Sequence, residues 1–272
     1  MRVIAENARV LVTVKTTPQP SKKYRDTVCT AGVRLDTDQP RWVRLYPIPF
    51  RHLAADSRYK KYDIIDVDIR RRTQDSRLES YQPDWDSMTT TGHLKPWAER
   101  VGALRDLPRT SVCELQRGTR ARHDGPSLGL SPVAELDDLV IRANPGWSAP
   151  QAQRIETSRH QVSLFDEEAP PPLVAPRYLA WYKYRCNDRG CKGHTSQVLD
   201  WELTELQRNL RHDSDTSAQR KIRATFVDRV FASDRESGFF MGNFEAPIKR
   251  QTFSVLGVWW PRLIEAEAVS LF

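Results

Sequence analysis

Apolar and polar positions change period along the chain. Residues 8–14 (Ala-Arg-Val-Leu-Val-Thr-Val) are dense in β-branched side chains, and 27–35, 41–46 and 62–69 continue in the two-residue rhythm of half-buried strands. Pro18, Pro20, Pro47 and Pro49 punctuate them. The N-terminal third therefore predicts a small antiparallel, barrel-like β unit. Further on the pattern loosens, with helical segments expected near 95–106 and 131–140. The acidic, Pro-rich stretch 166–176 predicts a connector. Beyond it, Tyr178 to Arg185 is an aromatic strand, and a helix starts at Asp200. Residues 218–231 carry an amphipathic helix with Ile222, Phe226 and Val230 on one side, and 239–244 and 253–260 close the chain as strands. The expected class is α+β, with an N-terminal antiparallel β-barrel-like unit and a mixed α/β C-terminal part. The expected division is a β-rich nucleic-acid-binding region at 1–165, the connector at 166–176 and an α+β catalytic region at 177–272.

Within the strand 41–46, alternation puts Trp42, Arg44 and Tyr46 on one face and Val43 and Leu45 on the other. Cationic and aromatic groups on one face make a platform that could stack bases and hold phosphates. Charge supports a polyanionic partner. The net formal charge is +7, and the excess clusters at Lys60-Lys61, Arg70 to Arg72, Arg117 to His123, Lys183 to Lys192 and Arg220 to Arg223. Arg44, Arg70, Arg71, Lys183 and Lys192 are the expected DNA contacts. No apolar run approaches a membrane span and the N-terminus lacks a signal-peptide core, so a cytoplasmic protein with no membrane partner is expected. Four cysteines are too few for a secreted disulfide framework, and Cys29, in an apolar run, is expected to be a buried, inert thiol.

Three segments carry resemblances. Val28-Cys29-Thr30-Ala31-Gly32-Val33 with Trp42-Val43-Arg44-Leu45-Tyr46-Pro47 resembles the opening of bacterial dual-OB proteins, which implies a nucleic-acid-associated β-barrel; the continuation Leu45-Tyr46-Pro47-Ile48-Pro49-Phe50-Arg51 departs from that pattern. The whole chain resembles uncharacterised bacterial proteins that share the Gly-His…Leu-Asp-Trp-Glu and Gly-Asn…Leu-Gly-x-x-x-Pro segments, which implies no activity. Gln161-Val162-Ser163-Leu164-Phe165 resembles the peptide by which bacterial proteins bind the sliding clamp, and implies that clamp as a partner.

The densest chemistry lies at 186–202. Cys186, Cys191 and His194 have zinc-like spacing, but a structural site needs a fourth ligand, which Cys113 or Asp200 would have to supply. No cofactor is expected to be required and no metal residue is assigned; structural zinc stands as the alternative. Asp200 and Glu202 are helix-start acids of the kind that cap a helix, or that activate a water among aromatics with His194 in support. Phe240 and Asn243, with Trp181, offer an aromatic face and an amide for a flipped base, and Gly242 permits close backbone approach.

Together these predict a DNA-binding enzyme. The leading chemistry is base excision by a DNA glycosylase acting on modified or damaged DNA, in repair or in antiviral defence. Asp200, Glu202 and His194 are its catalytic residues, and Phe240, Asn243 and Trp181 its base pocket. A metal-dependent nuclease is the first alternative, although Asp66-Val67-Asp68-Ile69-Arg70 only loosely echoes a nuclease cluster and no lysine follows Asp200-Trp201-Glu202 in position. The second alternative is a non-catalytic nucleic-acid reader with a structural cysteine turn.

Overall fold

Seven strands precede the first α-helix: β1 (Glu6–Lys15), β2 (Gln19–Pro20), β3 (Asp26–Arg34), β4 (Arg41–Ile48), β5 (Asp63–Arg71), β6 (Ser80–Pro83) and β7 (Thr89–His93). The computed structural model describes residues 5–160 and 171–270. Strands β1, β3, β4, β6 and β5 pair in that order, and β5 pairs back onto β1, so five strands close into a barrel. Only β4 and β6 run parallel. Closure leaves the ring no free edge. Alternation fills its inside: Ile65, Val67 and Ile69 of β5 are fully buried, and Val10, Val12, Val28, Val43 and Leu45 meet them in one cluster.

The chain continues through α1 (Trp97–Ala103), α2 (Val112–Ala121), β8 (Leu128–Ala143), α3 (Ala149–His160), β9 (Tyr178–Cys186) and β10 (His194–Gln197). It ends with α4 (Trp201–Asn209), α5 (Asp215–Arg223), β11 (Gly238–Asn243), β12 (Phe253–Trp259) and α6 (Leu263–Ser270). A second sheet, fully antiparallel, has the order β10-β9-β8-β11-β12. The architecture is α+β with a barrel at its N-terminal end. Helix ends follow local chemistry: Ser111 and Glu114 form a reciprocal capping box on α2, and Ser214 caps α5.

Two expectations change. Residues 131–140 are strand, not helix: β8 is the centre of the second sheet and pairs with β9 and β11 on its two sides. Its mixed run of Val133, Leu136, Leu139 and Ile141 among acids suits either period locally, and long-range pairing decides. For the same reason the break expected at 166–176 does not coincide with the division between the sheets, since β8 precedes it and belongs to the later one. Residues 166–170 of that connector and the Gln161–Phe165 peptide lie outside the described residues. No helix among the described residues is long and apolar enough to cross a membrane.

Barrel and sheet share a core. Leu11, Val14, Ala31 and Val33 of the barrel pack with Leu128, Leu130, Phe240, Leu256 and Trp259 of the sheet. Trp42, from the face expected to be a platform, meets Phe240 edge-on, with ring centres 6.1 Å apart. Gly32 of β3 sits where β1 passes so closely that a Cβ would overlap the Leu11 carbonyl oxygen. Gly32→Ala is therefore expected to lower stability by about 1–3 kcal/mol, as overpacked cores do, read as a shift of the denaturant midpoint at constant slope. An unchanged midpoint would contradict this packing.

Candidate nucleotide cavity at the seam

Barrel and sheet do not meet flush, and a cavity of about 650 Å³ lies between them. Each wall has a sequence reason. The alternation of β4 that buries Val43 and Leu45 in the barrel turns Arg44 and Tyr46 outward onto the seam, where both line the cavity. The end of β11 brings Gly242 and Asn243, followed by Phe244; the loop after β8 brings Trp147. A Cβ on Gly242 would crowd Leu256 and the Arg44 guanidinium, so close approach is required here, but to the barrel's arginine.

Arg44 is the electrostatic centre. It is 3% exposed. Its Nη1 donates to Cys29 Sγ at 3.2 Å and its Nη2 to the Ser127 carbonyl at 3.0 Å, while its Nε has no partner. Among the described residues no carboxylate lies within ion-pair distance of it. Burial pushes its pKa down, yet a guanidinium stays charged, so a buried cation faces the cavity without its own anion. Arg77 differs: Asp75 grips it, and its Nη1 donates to the Asn243 carbonyl at 2.9 Å. Asn243 is also buried. Its Nδ2 donates to the Arg250 carbonyl at 2.8 Å, and its Oδ1 has no partner. Cavity lining thus combines the Arg44 guanidinium, the Asn243 side chain and the rings of Tyr46, Trp147 and Phe244.

The expected site residues disperse. Asp200 is 2% exposed and caps α4, accepting from the Glu202 amide at 2.9 Å; its backbone bridges to Thr16, and it does not line the cavity. Burial pushes its pKa up to about 7, against the pull of Lys61, whose Nζ is 3.9 Å away. Burial opposes the charge on Lys61, but Glu202, Tyr62 and Asp200 outweigh it and hold its pKa above the ordinary value. Glu202 is exposed and reaches Lys61 at 3.4 Å. His194 belongs elsewhere, its Nε2 lying 3.2 to 3.4 Å from the sulfurs of Cys113, Cys186 and Cys191. Among the described residues those four form the group that could hold a metal, and Asp200 is not among them.

Of the base-pocket residues only Asn243 reaches the cavity. Phe240 is 1% exposed between Trp42 and Trp259 and offers no open face. Trp181 is half-buried on β9 beneath Arg142. Among the phosphate candidates Arg70, Lys183 and Lys192 are exposed, whereas Arg71 donates to the Arg77 and Ser80 carbonyls and Arg44 is buried. Arg77, Trp147 and Phe244 escaped sequence reasoning. Cys29, expected to be inert, borders the cavity as a partner of Arg44.

Residues 108–272 match the family DUF8757, described as a domain of unknown function, and the chain belongs to it. Residues 6–106 match a second domain of unknown function, DUF8758. The junction between the two falls between β7 and β8, where the barrel gives way to the second sheet. No curated protein matches in sequence. A solved murine DNA-binding protein, bound with double-stranded DNA, superposes at 9% identity over 94% of each chain with a TM-score of 0.31, too slight a likeness to carry an argument.

The Asp200 environment gives a pH prediction. A carboxyl that titrates near 7 when folded, against 3.8 in the open chain, holds its proton in the folded state between those values. Its contribution to stability is present below about pH 4 and is lost as the pH rises towards 7. Asp200→Asn keeps the cap and removes that loss. Denaturant midpoints of both proteins from pH 4 to 7 should therefore diverge, the wild type falling relative to the variant by at most about 4 kcal/mol, at about 1.4 kcal/mol per pKa unit. Parallel curves would contradict the burial of a raised carboxyl.

Proposed function

We propose that this DUF8757-family protein is a nucleic-acid reader, which holds DNA on its exposed basic residues and takes one extruded or unpaired nucleotide into the seam cavity. The reading rests on the buried, carboxylate-free Arg44 guanidinium at the cavity wall. A nucleobase has the complementary chemistry. Its carbonyl and ring-nitrogen acceptors suit a guanidinium, and its faces suit Tyr46, Trp147 and Phe244. The cavity volume, about 650 Å³, falls within the range of roughly 300–1,000 Å³ usual for small-ligand sites. Arg70, Lys183 and Lys192 supply the sequence-independent contact to phosphates.

Recognition ranks ahead of base excision for a specific reason. Excision needs a carboxylate or an activated water at the sugar. Asp200 is committed to its helix and is off the cavity wall, and Glu245, which does line it, pairs with Arg72 at 3.1 Å. A repair or defence role would follow from which base is read.

Fluorescence anisotropy with labelled single- and double-stranded oligonucleotides tests the proposal. Trp147→Ala is expected to weaken binding about 10- to 100-fold, since a stacked base is worth roughly 1–3 kcal/mol. Lys183→Ala should weaken all sequences alike and reduce the salt slope by about one. Wild-type affinity in the Trp147→Ala variant, together with undiminished affinity for abasic oligonucleotides, would contradict a base in the cavity. Strand breaks appearing after alkali would restore base excision.

A further inference from the structure

Three sulfurs and one imidazole nitrogen converge on a point that the proposed reader does not use. Cys113 comes from the first turn of α2, Cys186 from the last residue of β9, Cys191 from the following turn, and His194 from the first residue of β10. Their ligand atoms all lie within 4.8 Å of one another. The Cys113 and Cys186 sulfurs are 3.7 Å apart, and His194 Nε2 lies 3.4, 3.3 and 3.2 Å from Cys113, Cys186 and Cys191. A zinc tetrahedron with Zn–S of about 2.3 Å and Zn–N of about 2.0 Å has S···S edges of about 3.8 Å and S···N edges of about 3.5 Å. The Cys113–Cys186 edge has that length, the three S···N edges are slightly compressed, and the remaining S···S edges are no longer than 4.8 Å.

Competing accounts fit less well. A disulfide needs sulfurs about 2.05 Å apart, and all four cysteines are free thiols. Thiols are weak donors and weak acceptors, so three of them gathered on one imidazole nitrogen would satisfy little by hydrogen bonding alone. The surroundings suit an anionic centre. Three thiolates, one neutral imidazole and a divalent zinc carry one net negative charge. The Gly193 amide donates to Cys191 Sγ at 3.4 Å, the exposed Arg189 and Lys192 occupy the same turn, and Arg117, one turn along α2 from Cys113, pairs with Asp188 at 2.6 Å. Positive φ at Gly193 lets the turn between Cys191 and His194 close.

We propose that Cys113, Cys186, Cys191 and His194 bind one zinc ion as a structural centre that ties α2 to the β9–β10 hairpin. This takes the zinc alternative of the sequence over the expectation of no metal, with Cys113 as the fourth ligand. Soft sulfur and imidazole donors in a tetrahedral set select zinc among common divalent ions. Four protein ligands leave no open position for a substrate or a water, which makes the role structural. The ligands separated most in sequence are the ones the ion would join, so the site supplies a long-range constraint beside the buried cluster that Val112 and Leu115 share with Tyr184 and Cys186.

Elemental analysis of the full-length protein, purified without added metal, should find one zinc per chain. Loading with Co²⁺ in place of zinc should give the intense visible bands and sulfur-to-metal charge transfer of a tetrahedral thiolate site. Cys113→Ser should lower zinc occupancy and speed amide exchange in α2, and Cys113→His should restore both. If that variant does not fold, the wild-type cobalt spectrum decides alone. Metal-free protein with four titratable thiols and no cobalt spectrum would overturn the proposal, and so would full zinc occupancy in a Cys113→Ser, His194→Ala double variant.

Discussion

Buried cations of the barrel that reach across to polar groups of the second sheet and its helix hold this structure in its working shape. Arg44 donates to the Ser127 carbonyl, Arg77 to the Asn243 carbonyl, and Lys61 to the Val258 carbonyl at 3.2 Å. Lys15, deep in the barrel mouth, lies 4.5 Å above the Trp201 ring. A buried cation is costly unless fixed dipoles or anions surround it, and here the second half of the chain adds to those of the first, such as Asp75 on Arg77. The shared apolar cluster brings the halves together, and the cations fix how they register. The cavity is the space left where the two surfaces part, and that is why Arg44 and Arg77 stand in its lining.

Such an origin explains why the cavity reads as a recognition site. Barrel interiors of this size are filled by side chains, and the inside of this one is a close-packed aliphatic cluster. Chemistry can be placed only outside it, on the faces of β4 and β11 that turn towards the seam. Aromatic rings line the cavity with Arg44, which is why we propose a planar ligand with acceptor atoms for it. The zinc centre we infer lies apart from it, in the hairpin of β9 and β10, and acts on the frame.

Much of the frame was legible from residue order. Period-two alternation gave β1, β3, β4 and β5 to within a few residues, and Asp200 was readable as a cap. What failed was non-local. Residues 131–140 form a strand because β9 and β11 flank them, which no local period records. Face alternation placed Arg44 and Tyr46 together correctly, but did not show that a second sheet would cover them. Lys61 meets Glu202 across 141 residues, and Arg77 meets Asn243 across 166. Cys113 lies 73 residues before Cys186, so spacing alone could name it as a ligand candidate but could not bring it to the turn. His194 and Asp200, six apart in sequence, separated because β10 ends between them.

The measurement that tests the central claim most directly is photocrosslinking of an oligonucleotide carrying a single photoreactive base, followed by peptide mapping. An account in which a base enters the seam predicts adducts on Tyr46, Trp147 or Phe244, lost when unlabelled oligonucleotide competes. Adducts confined to the exposed basic residues of β5 and β9, with the cavity peptides unmodified, would contradict it.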